Sequence, residues 1–155
     1  TPSLIASYIQ DSLNIEFISK NDLPGLGVEV HPFHKDEDQL MKVVQLVNQM
    51  KKKGFDYNDI VILTCRGAGN SIFSNQEKIG NFKLKKFTGE YDLFGNQIYS
   101  DGSLVFDSSY RFKGNESPAV ILVDVDMNKA DEERYKKCLF CGMTRATVKL
   151  DILTK

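Results

Sequence analysis

Several short stretches of this chain carry side chains that could do chemistry. Cys138-Leu139-Phe140-Cys141 sets two thiols at the spacing of a redox pair or of half a zinc site. A zinc site needs about four ligands, and Cys65, His31 and His34 are the other soft donors in the chain. A redox pair sits at a helix N-terminus, where the dipole lowers the thiol pKa. This pair falls deep inside a helical pattern with Cys138 on its apolar face, so both read as buried small hydrophobes. His31-Pro32-Phe33-His34 is too short to hold a metal by itself and reads as a surface turn; we assign no metal ligands. Ala119 to Asp126 (AVILVDVD) is an apolar run closed by two acids. Such acids hold Mg²⁺ at a nucleotide when a GxxxxGK loop, followed by Ser or Thr, grips the phosphates. The chain has no such loop. Cys65 to Ser71 (CRGAGNS) lacks the Lys and the third glycine of GxGxxG. Asp124 and Asp126 therefore read as strand-end residues that cap turns. Lys78, Lys83, Lys85 and Lys86, with Phe82 and Phe87 between them, could touch a phosphate backbone or stack bases. A solvated strand edge protected by Lys is the plainer reading.

Two segments remain, Ser108 to Glu116 (SSYRFKGNE) and Gly142 to Ala146 (GMTRA). Their chemistry depends on what holds them. Thr1-Pro2 reads as an N-cap and a first helical residue, and Leu4, Ile5, Tyr8, Ile9 and Leu13 predict a helix over 2–13. Asn21 to Gly27 reads as a loop and Val28 to Phe33 as a short strand. Asp36, Glu37 and Asp38 open a helix that Lys51, Lys52 and Lys53 close, with Gly54 after it; this order suits the helix dipole and the C′ position. Ile60 to Thr64 is a continuous apolar run, the mark of a strand buried on both faces of a parallel sheet. Residues 71–79 read as helical and 81–107 as irregular, ending in a strand near 103–106. Ala119 to Val125 is a second buried strand. Asp131, Glu132 and Glu133 open a helix that carries Tyr135, Cys138, Leu139, Gly142, Met143 and Ala146 on one face. Val148, Leu150 and Ile152 alternate in a last strand. Helices alternating with buried strands predict an α/β layered domain with a mostly parallel sheet flanked by helices.

The 155 residues are expected to form a single domain. Twenty basic against 21 acidic residues give a net charge of −1, so a bulk attraction to nucleic acid or a lipid surface is not available and any such contact needs a local patch. Three cysteines suit a reducing compartment. No apolar run is long enough to span a bilayer and no signal peptide is visible, so we expect a cytoplasmic protein. The chain opens Thr1-Pro2-Ser3 without an initiator Met, and we expect residues 1–155 to be a fragment of a longer chain.

Ser108 to Glu116 and Gly142 to Ala146, in this order and strand–helix context, resemble motifs V and VI of the second RecA-like (2A, C-terminal) domain of UvrD/Rep-type superfamily 1 DNA helicases. Motif V usually runs T-x-H-x-x-K-G-x-E, and motif VI ends a helix opened by acids in Thr-Arg-Ala. Asp59 to Gly67 (DIVILTCRG) is similar to a strand-plus-Arg segment of the family, and Thr1 to Ile5 to the helix after motif IV. The resemblance covers nearly the whole chain. Ser108 stands for the usual Thr, Tyr110 for His, and Asn115 for a common Leu. The resemblance implies a RecA-like (P-loop NTPase-like) fold lacking a P-loop, and ATP bound between this domain and an N-terminal RecA-like motor domain that holds the P-loop and Mg²⁺. It implies Arg145 as the arginine finger. Glu116 would accept from ribose hydroxyls, Gly114 would let the nucleotide approach the backbone, and Lys113 would order the loop or contact phosphate. It implies contact of Ser108, Ser109 and Tyr110 with single-stranded DNA, with Arg66 in the same groove.

Two other readings compete with this one. A degenerate helicase-like module would bind nucleic acid or protein without catalysis. A free-standing redox or small-molecule protein would depend on Cys138 and Cys141.

Overall fold

The computed structural model describes residues 1–15, 23–66 and 70–155. Its strands are β1 (Gly27–Pro32), β2 (Ile60–Thr64), β3 (Lys78–Ile79), β4 (Phe82–Lys85), β5 (Phe87–Tyr91), β6 (Gln97–Tyr99), β7 (Leu104–Ser108), β8 (Ser117–Val125) and β9 (Ala146–Thr154). Helices α1 (Ser3–Leu13), α2 (Asp36–Lys52) and α3 (Glu133–Met143) flank them. Seven strands form one sheet in the order β1-β9-β8-β2-β7-β4-β3. Every pairing in it is parallel except β3 with β4, and β5 with β6 makes a separate antiparallel hairpin.

The apolar runs form the centre of the sheet, as expected. All five residues of β2 are buried, and β2 lies between β7 and β8. Successive residues of a strand serve opposite faces. Ile60, Ile62, Ala119, Ile121 and Val123 join Val43, Leu46, Val47 and Met50 of α2 in one core. Val61, Leu63, Val120, Leu122, Leu150 and Ile152 join Ile5 and Ile9 of α1 and Leu139 and Met143 of α3 in the other. Each fully buried Leu, Ile or Val contributes about 1.5–3 kcal/mol of transfer free energy.

The helix ends follow local chemistry. α2 has Asp36, Glu37 and Asp38 in its first turn and Lys51 and Lys52 in its last. Gly54, at φ +101°, takes the left-handed position beyond it. α1 starts one residue later than its sequence suggests, with Pro2 at the N-cap and its carbonyl accepting from Ala6 N at 3.0 Å.

Three stretches depart from expectation. Residues 71–79 make only a short 3-10 turn, Ile72–Asn75, before β3. Lys86 Nζ donates to the carbonyls of Phe73 and Gln76 at 2.6 Å and of Ser74 at 3.0 Å. A long cation thus takes acceptors that a continuing helix would use. Residues 81–107 are not irregular but hold β4 to β7. Phe82 and Leu84 alternate inward from β4, whereas β5 is mostly exposed and shows no apolar period. Its hairpin turn is closed by Asp92 Oδ1, which accepts from Phe94 N at 2.8 Å and Asn96 N at 2.9 Å. Finally, α3 begins at Glu133, and Ala146 opens β9 rather than closing the helix. The loop expected over 21–27 is described only from Leu23 onward, and Gly67 to Gly69 likewise lie outside the described residues.

Gly142 marks the closest passage of α3 over the sheet. A Cβ there would stand 2.8 Å from Leu122 Cδ1 and 2.9 Å from Ser109 Oγ. Gly142→Ala should lower unfolding free energy by about 1–3 kcal/mol through overpacking, read as a lower urea midpoint. An unchanged midpoint would contradict this contact.

Candidate functional site

In a parallel sheet the strand ends, not the buried faces, offer groups to a ligand. The sequence-predicted residues fall on both ends. Arg145 lies in the two-residue connection from α3 to β9, at the amino edge of the sheet. Its carbonyl accepts from Ser117 N, the start of β8, at 3.0 Å. Its guanidinium donates from Nε to Cys141 O at 3.1 Å, from Nη2 to Thr144 Oγ1 at 3.1 Å and from Nη1 to Asn115 O at 3.4 Å. Arg145 is therefore held against the Lys113–Glu116 turn, by neutral acceptors. Among the described residues no carboxylate pairs with it. Gly114 stands at φ +88°, a conformation that requires glycine, and a Cβ there would meet nothing within 4 Å. Lys113 and Glu116 are exposed.

The turn is built locally. Ser108 Oγ accepts from Arg111 N at 3.1 Å. Phe112, Lys113 and Asn115 then donate back to the carbonyls of Ser108, Tyr110 and Phe112. Arg111 Nη1 reaches Asp107 Oδ1 at 3.0 Å, and its guanidinium lies 4.5 Å over the Phe87 ring. Tyr99 donates its hydroxyl to Asp107 Oδ2 at 2.5 Å, and burial together with that carboxylate pushes the phenol pKa up. Asp107 and Arg111 thus clamp the segment to the β5–β6 hairpin. Sequence reasoning missed both, because the partners come from strands whose pattern it did not resolve.

Arg66, Ser108, Ser109 and Tyr110 lie at the other, carboxyl edge. Arg66 and Tyr110 line one hollow of about 310 Å³ with Cys65, Glu132, Arg134, Tyr135 and Cys138. The Tyr110 ring is half-exposed and its hydroxyl donates to Arg134 O at 3.1 Å. Ser109 does not face solvent: it is fully buried, with Oγ 3.5 Å from Cys65 Sγ, so its side chain packs inside the fold against Cys65. The neighbouring Cys138 thiol on α3 and burial push the Cys65 thiol, just past the end of β2, up. A second groove of about 530 Å³ runs along α3 between Tyr110, Lys113, Lys136, Lys137 and Phe140.

The acids at the end of β8 divide. Asp126 caps a short turn, accepting from Asn128 N at 3.1 Å, as its sequence position suggests. Asp124 does not cap a turn. It is buried at φ +61° and accepts from Gln39 Nε2 at 2.9 Å, Thr64 Oγ1 at 3.0 Å and Ser71 Oγ at 2.5 Å.

Comparison with known proteins agrees with this architecture. Residues 103–153, about a third of the chain, match the family model of the UvrD-like helicase C-terminal domain. The fold is similar to the crystal structure of the C-terminal domain of a possible DNA helicase from Lactobacillus plantarum WCFS1, with a TM-score of 0.58 at 16% identity over 99% of this chain and 85% of that one. No curated protein matches the sequence. Among the described residues no helix is long and apolar enough to cross a membrane.

A third polar cluster lies apart from both edges, between β1 and β9. His31 is not in a surface turn: it sits in β1, with Nε2 2.9 Å from Asp151 Oδ1. Glu29, His31 and Asp151 offer ligand atoms within 4.8 Å of one another. The ammonium of Lys149 occupies that neighbourhood, 3.1 Å from Glu29 Oε1 and 3.4 Å from Asp151 Oδ2. Its hydrogen bond holds the Glu29 carboxyl below the usual range. A depressed carboxylate stabilises the fold above its ordinary pKa, and that contribution is lost as pH falls through the folded value. Lys149→Met should cost about 1–3 kcal/mol, because the buried Asp151 Oδ2 loses its only cationic neighbour among the described residues while Oδ1 keeps His31. Urea midpoints measured from pH 7 to pH 3 should show this loss, with a shallower acid limb in the variant. A midpoint unchanged at pH 7 would count against the pair.

Proposed function

We propose, from the premise that this chain carries a UvrD-type helicase C-terminal domain, that it is the C-terminal motor domain of an ATP-dependent DNA helicase or translocase. Its partners are an N-terminal RecA-like motor domain of the same parent chain and single-stranded DNA. The amino edge of the sheet forms one wall of the ATP site. The N-terminal domain forms the other wall, with the P-loop and Mg²⁺.

One observation carries this reading. Arg145 is pinned beside the Gly114–Glu116 turn by neutral acceptors alone, which leaves its charge uncompensated among the described residues. A planar, permanently charged guanidinium stabilises the charge that spreads over a transferring phosphoryl group. The contact from Arg145 to the turn uses the Asn115 carbonyl, so the unusual side chain at 115 leaves it intact. Gly114 leaves its backbone open to a ligand, and Glu116, exposed beside it, accepts from ribose hydroxyls. Lys113 orders the loop or meets phosphate. At the carboxyl edge Ser108, Tyr110 and Arg66 hold the strand through phosphate and ring contacts that read no sequence. Segment 108–116 runs from one edge to the other, so closure of the cleft on ATP shifts the DNA-facing residues with it.

The reading is tested in the intact parent. Arg145→Ala should lower ATP turnover roughly 10³-fold or more while the affinity for single-stranded DNA stays the same. Equal turnover in wild type and variant would remove Arg145 from the mechanism. A wild-type parent without turnover that still binds DNA would favour the non-catalytic module. The isolated chain should not hydrolyse ATP at the parent's rate, because half of the site is elsewhere.

A further inference from the structure

We propose that Asp124 is a positioning residue that holds Arg66 in the carboxyl-edge hollow, where the guanidinium takes a backbone phosphate of a single-stranded nucleic acid. This inference rests on the nucleic-acid reading of that edge and adds to it a residue that reading does not use.

The topology marks the place. From β2 the chain leaves toward β4 and β7, and from β8 it leaves through α3 toward β9 on the other side. Neighbouring strands whose connections diverge make a switch point, where open α/β sheets bind ligands outside the carboxyl ends. The hollow lined by Cys65, Arg66, Tyr110, Glu132, Arg134, Tyr135 and Cys138 lies there.

The backbone is bent to bring Asp124 beside Arg66. The β8–β9 register breaks between Leu122 and Val125, and Asp124 adopts φ +61°, which is rare outside glycine. This irregularity turns Asp124 toward the face of α2 and Thr64. Gln39 fixes it from two sides, accepting from Asp124 N at 2.7 Å and donating to its carboxylate at 2.9 Å. Thr64 links carboxylate and arginine directly, since its hydroxyl donates to Asp124 at 3.0 Å and accepts from Arg66 N at 3.1 Å. Arg66 Nη1 then stands 3.6 Å from Asp124 Oδ1, with a third of its side chain exposed. At that distance the carboxylate steers the guanidinium without consuming its donors. Three neutral donors already satisfy Asp124, and among the described residues no acceptor takes a hydrogen bond from the Arg66 guanidinium. Arg134 shares the hollow, and two guanidiniums suit phosphate oxygens, which they can meet in bidentate fashion.

The test is anisotropy of a fluorescein-labelled single-stranded oligothymidylate with the whole chain, across a salt series. Arg66→Ala should weaken binding and lower the salt slope by about one released counterion. Asp124→Asn should weaken binding on the order of tenfold but change nothing in the Arg66→Ala background. The direction is decisive, because removing a negative charge that acts only through its field tightens binding to a polyanion. Thr64→Val keeps the carboxylate and removes the hydroxyl link, and should show the same dependence on Arg66 should the Asp124 variant fail to fold. If Arg66→Ala changes neither affinity nor slope, the nucleic-acid reading of this edge falls and the inference with it. If Arg66→Ala weakens binding but the second substitutions tighten it, or act equally in both backgrounds, that reading stands and the positioning role is overturned.

Discussion

A strand buried on both faces can offer chemistry only at its ends, and that constraint organises the whole molecule. β2 and β8 have cores above and below them, so a polar group along their length would lose water without gaining a ligand. Residues 60–63 of β2 and 119–123 of β8 are all Ile, Val, Leu or Ala. Arg145, Gly114 and Glu116 are left at the amino edge, and Arg66, Tyr110 and Asp124 at the carboxyl edge. Nine residues of β8 separate the two edges, roughly 30 Å at about 3.3 Å per residue.

Two elements run between the edges. α3 carries Arg134 near its start and hands the chain to Arg145 just past its end. Segment 108–116 descends beside it, with Ser108 against one edge and Glu116 at the other. Neither bridge is loose. Gly142 lets α3 pass within contact of Leu122 and Ser109, and the Asp107–Arg111 pair anchors the segment to the hairpin. A rigid connection between two edges is what a domain needs if events at a nucleotide are to be felt at a nucleic-acid strand.

Two of the irregular backbone positions lie where the ligands are expected. Asp124 adopts a left-handed conformation beside Arg66, and Gly114 does so beside Arg145. Elsewhere among the described residues, positive φ falls on Asn14 beyond α1 and on glycines at turns and in β1 and β5. Backbone held away from its ordinary wells persists only where its surroundings over-determine it. At Asp124 those surroundings are visible as Gln39, Thr64 and Ser71, contributed by three separate stretches of chain.

The apolar runs at 60–64 and 119–125 and the charge order of α2 announced a mostly parallel, helix-flanked sheet, because burial and the helix dipole act on neighbours in sequence. The segments 108–116 and 142–146 stood out by their resemblance to two motifs of a known helicase family, and they follow the end of β7 and the end of α3. The hairpin at 87–99 was not legible, since an exposed strand carries no apolar period. His31 was misplaced in a surface turn because its partner, Asp151, lies 120 residues away. Asp124 could be seen only as an acid after a strand. Its side chain became a hub when β2, β8 and α2 came together, since hydrogen bonds across the fold depend on distances that local spacing does not encode. Ser109, alike in sequence to Ser108, went inward for the same reason: the packing of α3 over β8, not residue type, decides which hydroxyl faces water.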